Sequence, residues 1–195
     1  TFILKVYSTM LIYKDIISDD EISSDSYPMK LIDDIVYEFN GKNITIKNGI
    51  PDEAIGGNKS AEGGDDDYSE SCETQIDIVY ANRLVEMSYS KKEYTTYIKD
   101  YMKRILDILK TKNPARVNVF KTNAQKYITE ILKNFKEYKF YTGESMNPDA
   151  MVILCNYRED QITPYFIVFK DGVVEEKCAK LPMECYINKE LIDLR

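Results

Sequence analysis

The chain has 195 residues, 44% of them hydrophobic and 30% charged, with a net charge of −7. A chain of this length buries roughly 70% of its unfolded surface around one core, so it needs no metal or disulfide staple. It contains no histidine, which removes Ser-His-Asp and Cys-His catalysis and every histidine-ligated metal site. The acidic balance argues against nucleic acid as a default partner. The four cysteines (Cys72, Cys155, Cys178 and Cys185) form no C-x-x-C pair, so a zinc site is not expected and free thiols in a reducing compartment fit best. The longest aliphatic stretch, Met151 to Cys155, is far below the ~20 residues of a membrane span. The opening TFILKVYSTM lacks the apolar core and small-residue cleavage site of a signal peptide.

Strand-like runs come first: 11–16 (LIYKDI), 35–39 (IVYEF) and 43–47 (NITIK). Asn40-Gly41 between the last two predicts a hairpin turn, because both residues tolerate positive φ. From 49 to 74 five glycines and the run Asp65-Asp66-Asp67 predict a long, mobile acidic loop with too little apolar surface to offset its ordering entropy. Residues 75–90 return to strand character.

The most legible segment follows. Ser90 and Glu93 form a capping-box pair, and apolar residues from Tyr94 to Leu109 fall on one stripe of period 3.6. Asn113-Pro114 ends this helix and starts a second, with Val117, Phe120, Ala124, Tyr127, Ile128, Ile131, Leu132 and Phe135 on its stripe. Together they predict a helical hairpin over 90–136. After it, 139–143, 151–157, 165–170 and 172–176 read as strands separated by Pro- and Gly-containing turns. The order of strands, hairpin and strands predicts an α+β fold with a largely antiparallel sheet.

Charge is divided unevenly. Residues 90–136 hold 12 Lys+Arg and 4 Asp+Glu, a net of +8, against −15 for the rest of the chain. Lys99, Lys103, Arg104, Lys110, Lys112, Arg116, Lys121, Lys126 and Lys133 make the hairpin basic. One reading is a solvated face held by pairs such as Asp100/Arg104 at i,i+4. The other is a docking surface for an acidic protein, since charge steering needs only a local patch. Other motifs fail. Gly57-Asn58-Lys59-Ser60 is no phosphate loop, because Glu53 and Asn58 stand where glycines are required. The run from Asp65 is no EF-hand, because Glu70 and Ile76 occupy the obligatory Gly and Glu positions. Asp65, Asp66 and Asp67 thus offer at most a weak calcium site, or merely solvate the loop. Cys155, in the most apolar strand, is expected to be inert core. Cys178 and Cys185 are the more exposed thiols.

The blocks 55–63 (IGGNKSAEG) and 135–160 (FKEYKFYTGESMNPDAMVILCNYRED) resemble the two recognition motifs of the translationally controlled tumour protein family. Residues 10–21, 91–103 and 163–178 match the same family in order. The resemblance implies one domain over 10–178, with extensions at 1–9 and 179–195. It implies a strongly twisted, tent-like sheet core with a protruding helical hairpin and an acidic loop. It further implies a non-enzymatic cytoplasmic protein of growth and survival. Such a protein binds calcium, tubulin or microtubules and a Rheb-type small GTPase, opposes apoptosis, and acts as a histamine-releasing factor when released without a signal peptide. Glu21 matches the acidic residue of the GTPase contact, where a carboxylate would oppose phosphate or Mg²⁺ in the nucleotide site. Lys99, Lys103, Arg104, Lys110 and Lys126 fall in the family's tubulin-binding region. A calcium-buffering or chaperone-like stress protein is the alternative.

Overall fold

The computed structural model describes residues 9–48 and 71–179. Eleven strands and three α-helices lie in these residues. They run β1 (Thr9–Asp15), β2 (Glu21–Ser24), β3 (Met29–Ile32), β4 (Val36–Asn40), β5 (Asn43–Asn48), β6 (Ser71–Ile76), α1 (Asp77–Ala81) and β7 (Val85–Met87). There follow α2 (Lys91–Lys112), α3 (Val117–Lys133), β8 (Lys139–Thr142), β9 (Ile153–Tyr157), β10 (Pro164–Phe169) and β11 (Val173–Ala179). A six-stranded sheet has the order β3-β4-β10-β9-β8-β7, a three-stranded sheet β11-β1-β2, and β5 and β6 form a separate ribbon. Every described pairing is antiparallel. The fold is α+β.

The core is organised around β10. Its residues Phe166 to Phe169 are buried without alternation, as a strand covered on both faces requires. Phe166 and Val168 stand in register with Phe39 and Tyr37 of β4. Cross-strand partners share a face, and Tyr13 of β1 covers this one, its ring 5.2 Å from Phe39 and 5.4 Å from Tyr37. The opposite face, carrying Ile167 and Phe169, receives α2, with Tyr101 packed 6.3 Å from Phe169.

The helix α2 starts where its capping box dictates. The Glu93 amide donates to Ser90 Oγ at 3.2 Å, and the Ser90 amide donates to Glu93 Oε2 at 2.8 Å. These bonds satisfy two of the orphan amides of the first turn and hold the Glu93 carboxyl below its ordinary pKa. Pro114 opens a 3-10 turn, after which α3 runs back along α2. The expected hairpin is thus present with its expected ends.

Four expectations need correction. Residues 71–74 belong to β6 rather than to a loop, because they complete the ladder of β5; residues 49–70, with Asp65, Asp66 and Asp67, lie outside the described residues. Residues 77–81 form a short helix instead of strand, its first turn fixed by the Asp77 carboxylate, which accepts from Ile78 N and Lys42 N at 2.8 Å each. Asn40-Gly41 is not a hairpin turn. The Gly41 amide donates to Pro164 O, and a Cβ there would lie 2.9 Å from Asp77 Oδ1, so the glycine serves a close crossing toward the β5–β6 ribbon. The tight turn lies at Asp33-Asp34, both at positive φ, which joins β3 to β4. Finally, Arg104 does not pair with Asp100: it reaches Asp149, at 2.5 Å, while Lys103 takes Asp100 at 3.2 Å.

Candidate functional site

Two surfaces carry the sequence-predicted residues. The first is the outer side of the helical hairpin. Its cations divide into three classes. Arg116 is half-hidden at the base of α3, 16% exposed, and donates to both carboxylate oxygens of Asp171 at 2.5 and 2.9 Å and to Asp34. Lys170 also binds Asp34, at 2.6 Å. Lys170 first and Arg116 next hold the Asp34 carboxyl below its ordinary pKa. Arg116 therefore bolts the hairpin to the sheet and is not part of a free basic face. Lys103 and Lys110 sit in exposed i,i+3 pairs with Asp100 and Asp107, a class of interaction that holds little energy and exchanges readily. Lys99, Lys112, Lys121, Lys126 and Lys133 are exposed and make no ion pair among the described residues. The structure leaves these cations available on two adjacent helices.

Between α2 and α3 runs a groove of about 400 Å³. Its floor is Met102, Leu106, Ala124, Ile128 and Leu132, and Lys99, Lys103 and Lys121 stand along it. No acidic side chain lines it. The helical stripes marked these apolar residues as core, but α2 and α3 each carry a stripe wider than the sheet covers, so Leu106, Ile128 and Leu132 remain only half-buried.

The second surface is a polar cleft of about 390 Å³ at the start of β2, lined by Lys14, Asp19, Asp20, Glu21, Arg83 and Glu144 among others. Glu21 is the exposed first residue of β2, in register with Lys14 across an irregularity of the β1–β2 ladder. Its carboxylate has no hydrogen bond or ion pair among the described residues. Lys14 bonds Glu176 at 2.7 Å instead, which raises its pKa. On the opposite wall Arg83 pairs with Glu144 at 2.7 Å.

What positions Glu21 is the turn before it. Asp15, 2% exposed, accepts from Ile17 N at 2.6 Å, Ser18 N at 3.1 Å and Met151 N at 2.6 Å. Burial nonetheless pushes its pKa up, the three amides only partly offsetting the desolvation. Asp20 then ties the turn to the 143–145 loop through Ser145 Oγ at 2.6 Å, and a Cβ on Gly143 would fall 2.3 Å from the Asp20 carboxylate. Glycine is required at that approach. Sequence reasoning named Glu21 and missed Asp15, whose role depends on Met151, 136 residues away.

Among the described residues no group of three or more His, Cys, Asp or Glu is placed to hold a metal ion. Cys155 is buried in β9, and desolvation pushes its thiol up to about 12; it is inert, as expected. Cys178 is partly exposed on β11, and Cys185 lies outside the described residues. No helix among the described residues is long and apolar enough to cross a membrane.

With this geometry in view, comparison with known proteins decides the family. A sequence model described as translationally controlled tumour protein matches residues 10–174. The chain belongs to the translationally controlled tumour protein family. It is 54% identical to a homologue from Schizosaccharomyces pombe over 86% of this chain and 99% of the relative. It is 49% identical to the human protein over 87% of this chain and 100% of the relative. The structure of the S. pombe protein p23fyp superposes with a TM-score of 0.74 at 54% identity, covering 86% of this chain and 99% of that one. The solution structure of the Caenorhabditis elegans protein gives 0.65 at 39% identity, covering 87% and 100%.

Proposed function

We propose that this member of the translationally controlled tumour protein family is a non-enzymatic cytoplasmic regulatory protein whose helical hairpin docks acidic protein surfaces, the acidic tails of tubulin among them. The observation that carries this reading is the set of unpaired lysines on α2 and α3, in a segment of net +8 on a chain of net −7. At physiological salt such a patch acts over about 8 Å, enough to steer an acidic tail although the whole molecule is negative. Lys99→Glu combined with Lys126→Glu is expected to abolish co-sedimentation with microtubules at low salt, and wild-type pelleting is expected to fall as salt rises. A pellet unchanged by the double reversal would overturn the docking role.

The free carboxylate of Glu21 favours a second contact, with a small GTPase of the Rheb type. Among the described residues this carboxylate closes no ion pair, since Lys14, its neighbour in register, acts on it only through space and bonds Glu176 instead, so no close contact is broken when it meets an external cation. Glu21→Ala is expected to lower nucleotide exchange on the GTPase and leave microtubule binding intact. Equal exchange by the two proteins would remove this contact. Weak calcium binding belongs to the same reading, with Asp65, Asp66 and Asp67 as its donors.

A further inference from the structure

We infer that the groove between α2 and α3 is the seat of an amphipathic acidic helix presented by a protein partner. The inference rests on the docking role proposed above and adds the chemistry of what docks. Three observations converge. The floor is aliphatic and incompletely covered: Leu106, Ile128 and Leu132 are half-buried, and Met102 and Ala124 lie beneath them. A concave apolar surface of this kind takes side chains rather than solvated charge, so a merely acidic tail would leave it unfilled. The flanks are cationic, with Lys99 and Lys121 unpaired among the described residues, Lys103 held only in its exposed pair with Asp100, and no acid in the lining, on a protein whose net charge is −7. The occupant therefore carries carboxylates on the side that faces these lysines. The walls are two helices, whose backbone groups are bonded within themselves. An extended peptide would find no strand edge to pair with here and would leave its own amides unsatisfied, whereas a helix brings its backbone already satisfied.

Length sets the register. The groove extends from Thr95 to Leu106 along α2 and from Phe120 to Leu132 along α3, roughly 16–18 Å at 1.5 Å per residue. That accommodates about three turns of helix, with apolar anchors at i, i+4 and i+7 or i+8.

The test uses the full chain and two fluorescent peptides of about 14 residues. One carries leucines on a single helical stripe and glutamates elsewhere; the other has the same composition scrambled. Wild-type protein is expected to bind the striped peptide roughly tenfold or more tightly than the scrambled one, since even one buried leucine supports that difference. Leu106→Gln with Ile128→Gln leaves the charge unchanged and is expected to erase the preference. Lys99→Glu with Lys121→Glu, both on the groove's flanks, is expected to weaken both peptides. Because the Gln variants alter half-buried positions, amide shifts are also followed in the wild-type protein. Striped peptide is expected to move the amides of Leu106, Ile128 and Leu132. Equal affinity for the two peptides, or shifts confined to other parts of the chain, would overturn the groove. Microtubule co-sedimentation retained alongside that result would leave the electrostatic docking role standing, so the two failures are distinguishable.

Discussion

The inner and outer sides of α2 arise from one helical sequence and are built to opposite specifications. On the inner side Tyr94, Ile98, Tyr101 and Ile105 are 0–2% exposed and sit on the sheet. Most polar groups of this seat are committed, the buried hydroxyls of Tyr94 and Tyr101 being the exceptions. Tyr97 Oη donates to Ala150 O at 2.5 Å and accepts from Val152 N at 2.8 Å. Asp15 accepts three amides, and Arg116 closes the far end on Asp171 and Asp34. On the outer side Lys99 is unpaired among the described residues and Leu106 is half-covered, facing Lys121 of α3 across the groove. A surface whose groups are already satisfied gains nothing from a partner; one whose cations and aliphatic side chains are unspent does. The difference locates stability on one side of the helix and recognition on the other.

The sharpest way to break that division is to attack the seat at Asp15. Asp15→Ala leaves the amides of Ile17, Ser18 and Met151 without their acceptor, at a cost of about 2–4 kcal/mol and a fall in thermal midpoint of roughly 5–15 °C. Burial raises the Asp15 pKa in the fold, so its contribution is fullest at pH below the ordinary carboxylate value and declines as pH rises through the folded value. Thermal melts of both proteins from pH 3 to 7 check the magnitude and the sign. The turn that presents Glu21 should loosen with it, lowering GTPase exchange although Glu21 is intact.

Arg116 offers the next largest effect and a contrast within the basic residues. Arg116→Ala strands Asp171, whose side chain is 6% exposed, and is expected to cost about 2–4 kcal/mol, near the value for a broken buried pair. Lys121→Ala, a few residues further on in α3, is expected to stay within about 0.5 kcal/mol. The pH signature here is opposite to that of Asp15. Asp34 has a lowered pKa, so the stability it adds is present above the ordinary carboxylate value and is lost as pH falls through its folded value. Acid titration of Arg116→Ala should show that loss diminished.

These contrasts mark what was legible in the sequence. The hairpin was, because Ser90, Glu93, Pro114 and two period-3.6 stripes are local signals that need no knowledge of the rest of the chain. Residues 71–74 of β6 were not, because this mostly polar stretch becomes strand only by pairing with β5 across an intervening 22 residues. Asn40-Gly41 misled for a related reason: the dipeptide permits a hairpin, but Asp77 and Pro164 decide the path from a distance. Asp33-Asp34 adopts positive φ without the usual glycine, with the Asp33 carbonyl held by Asn123 of α3 and the Asp34 carbonyl by Arg116 in the turn before it. Of the candidate surfaces, the excess of lysine was visible at once. Which lysines were already engaged was not, since Arg116 and Lys121 differ only in what the fold places opposite them.

The finest test sits on two neighbouring tyrosines. Tyr97 and Tyr101 stack at 5.7 Å with rings inclined by 19°, one turn apart on α2, and differ in their hydroxyls. The Tyr97 hydroxyl has a donor and an acceptor; the Tyr101 hydroxyl is fully buried with none, pressed so closely on Gly172 that a Cβ there would lie 2.2 Å away. Tyr97→Phe is expected to lower stability by about 1–2 kcal/mol, because it abandons a buried amide and a carbonyl. Tyr101→Phe removes a desolvated hydroxyl that gains nothing in return and is expected to raise stability by about 1 kcal/mol. Chemical denaturation with unchanged m-values would measure both. Loss of stability in Tyr101→Phe would mean that the hydroxyl has a bridging water between α2 and the 170–172 turn, so that this part of the seat too is fully bonded. A gain would place the Tyr101 hydroxyl with that of Tyr94, both buried on the inner face of α2 without a hydrogen-bond partner, as points where the seat is packed tightly but left unsatisfied.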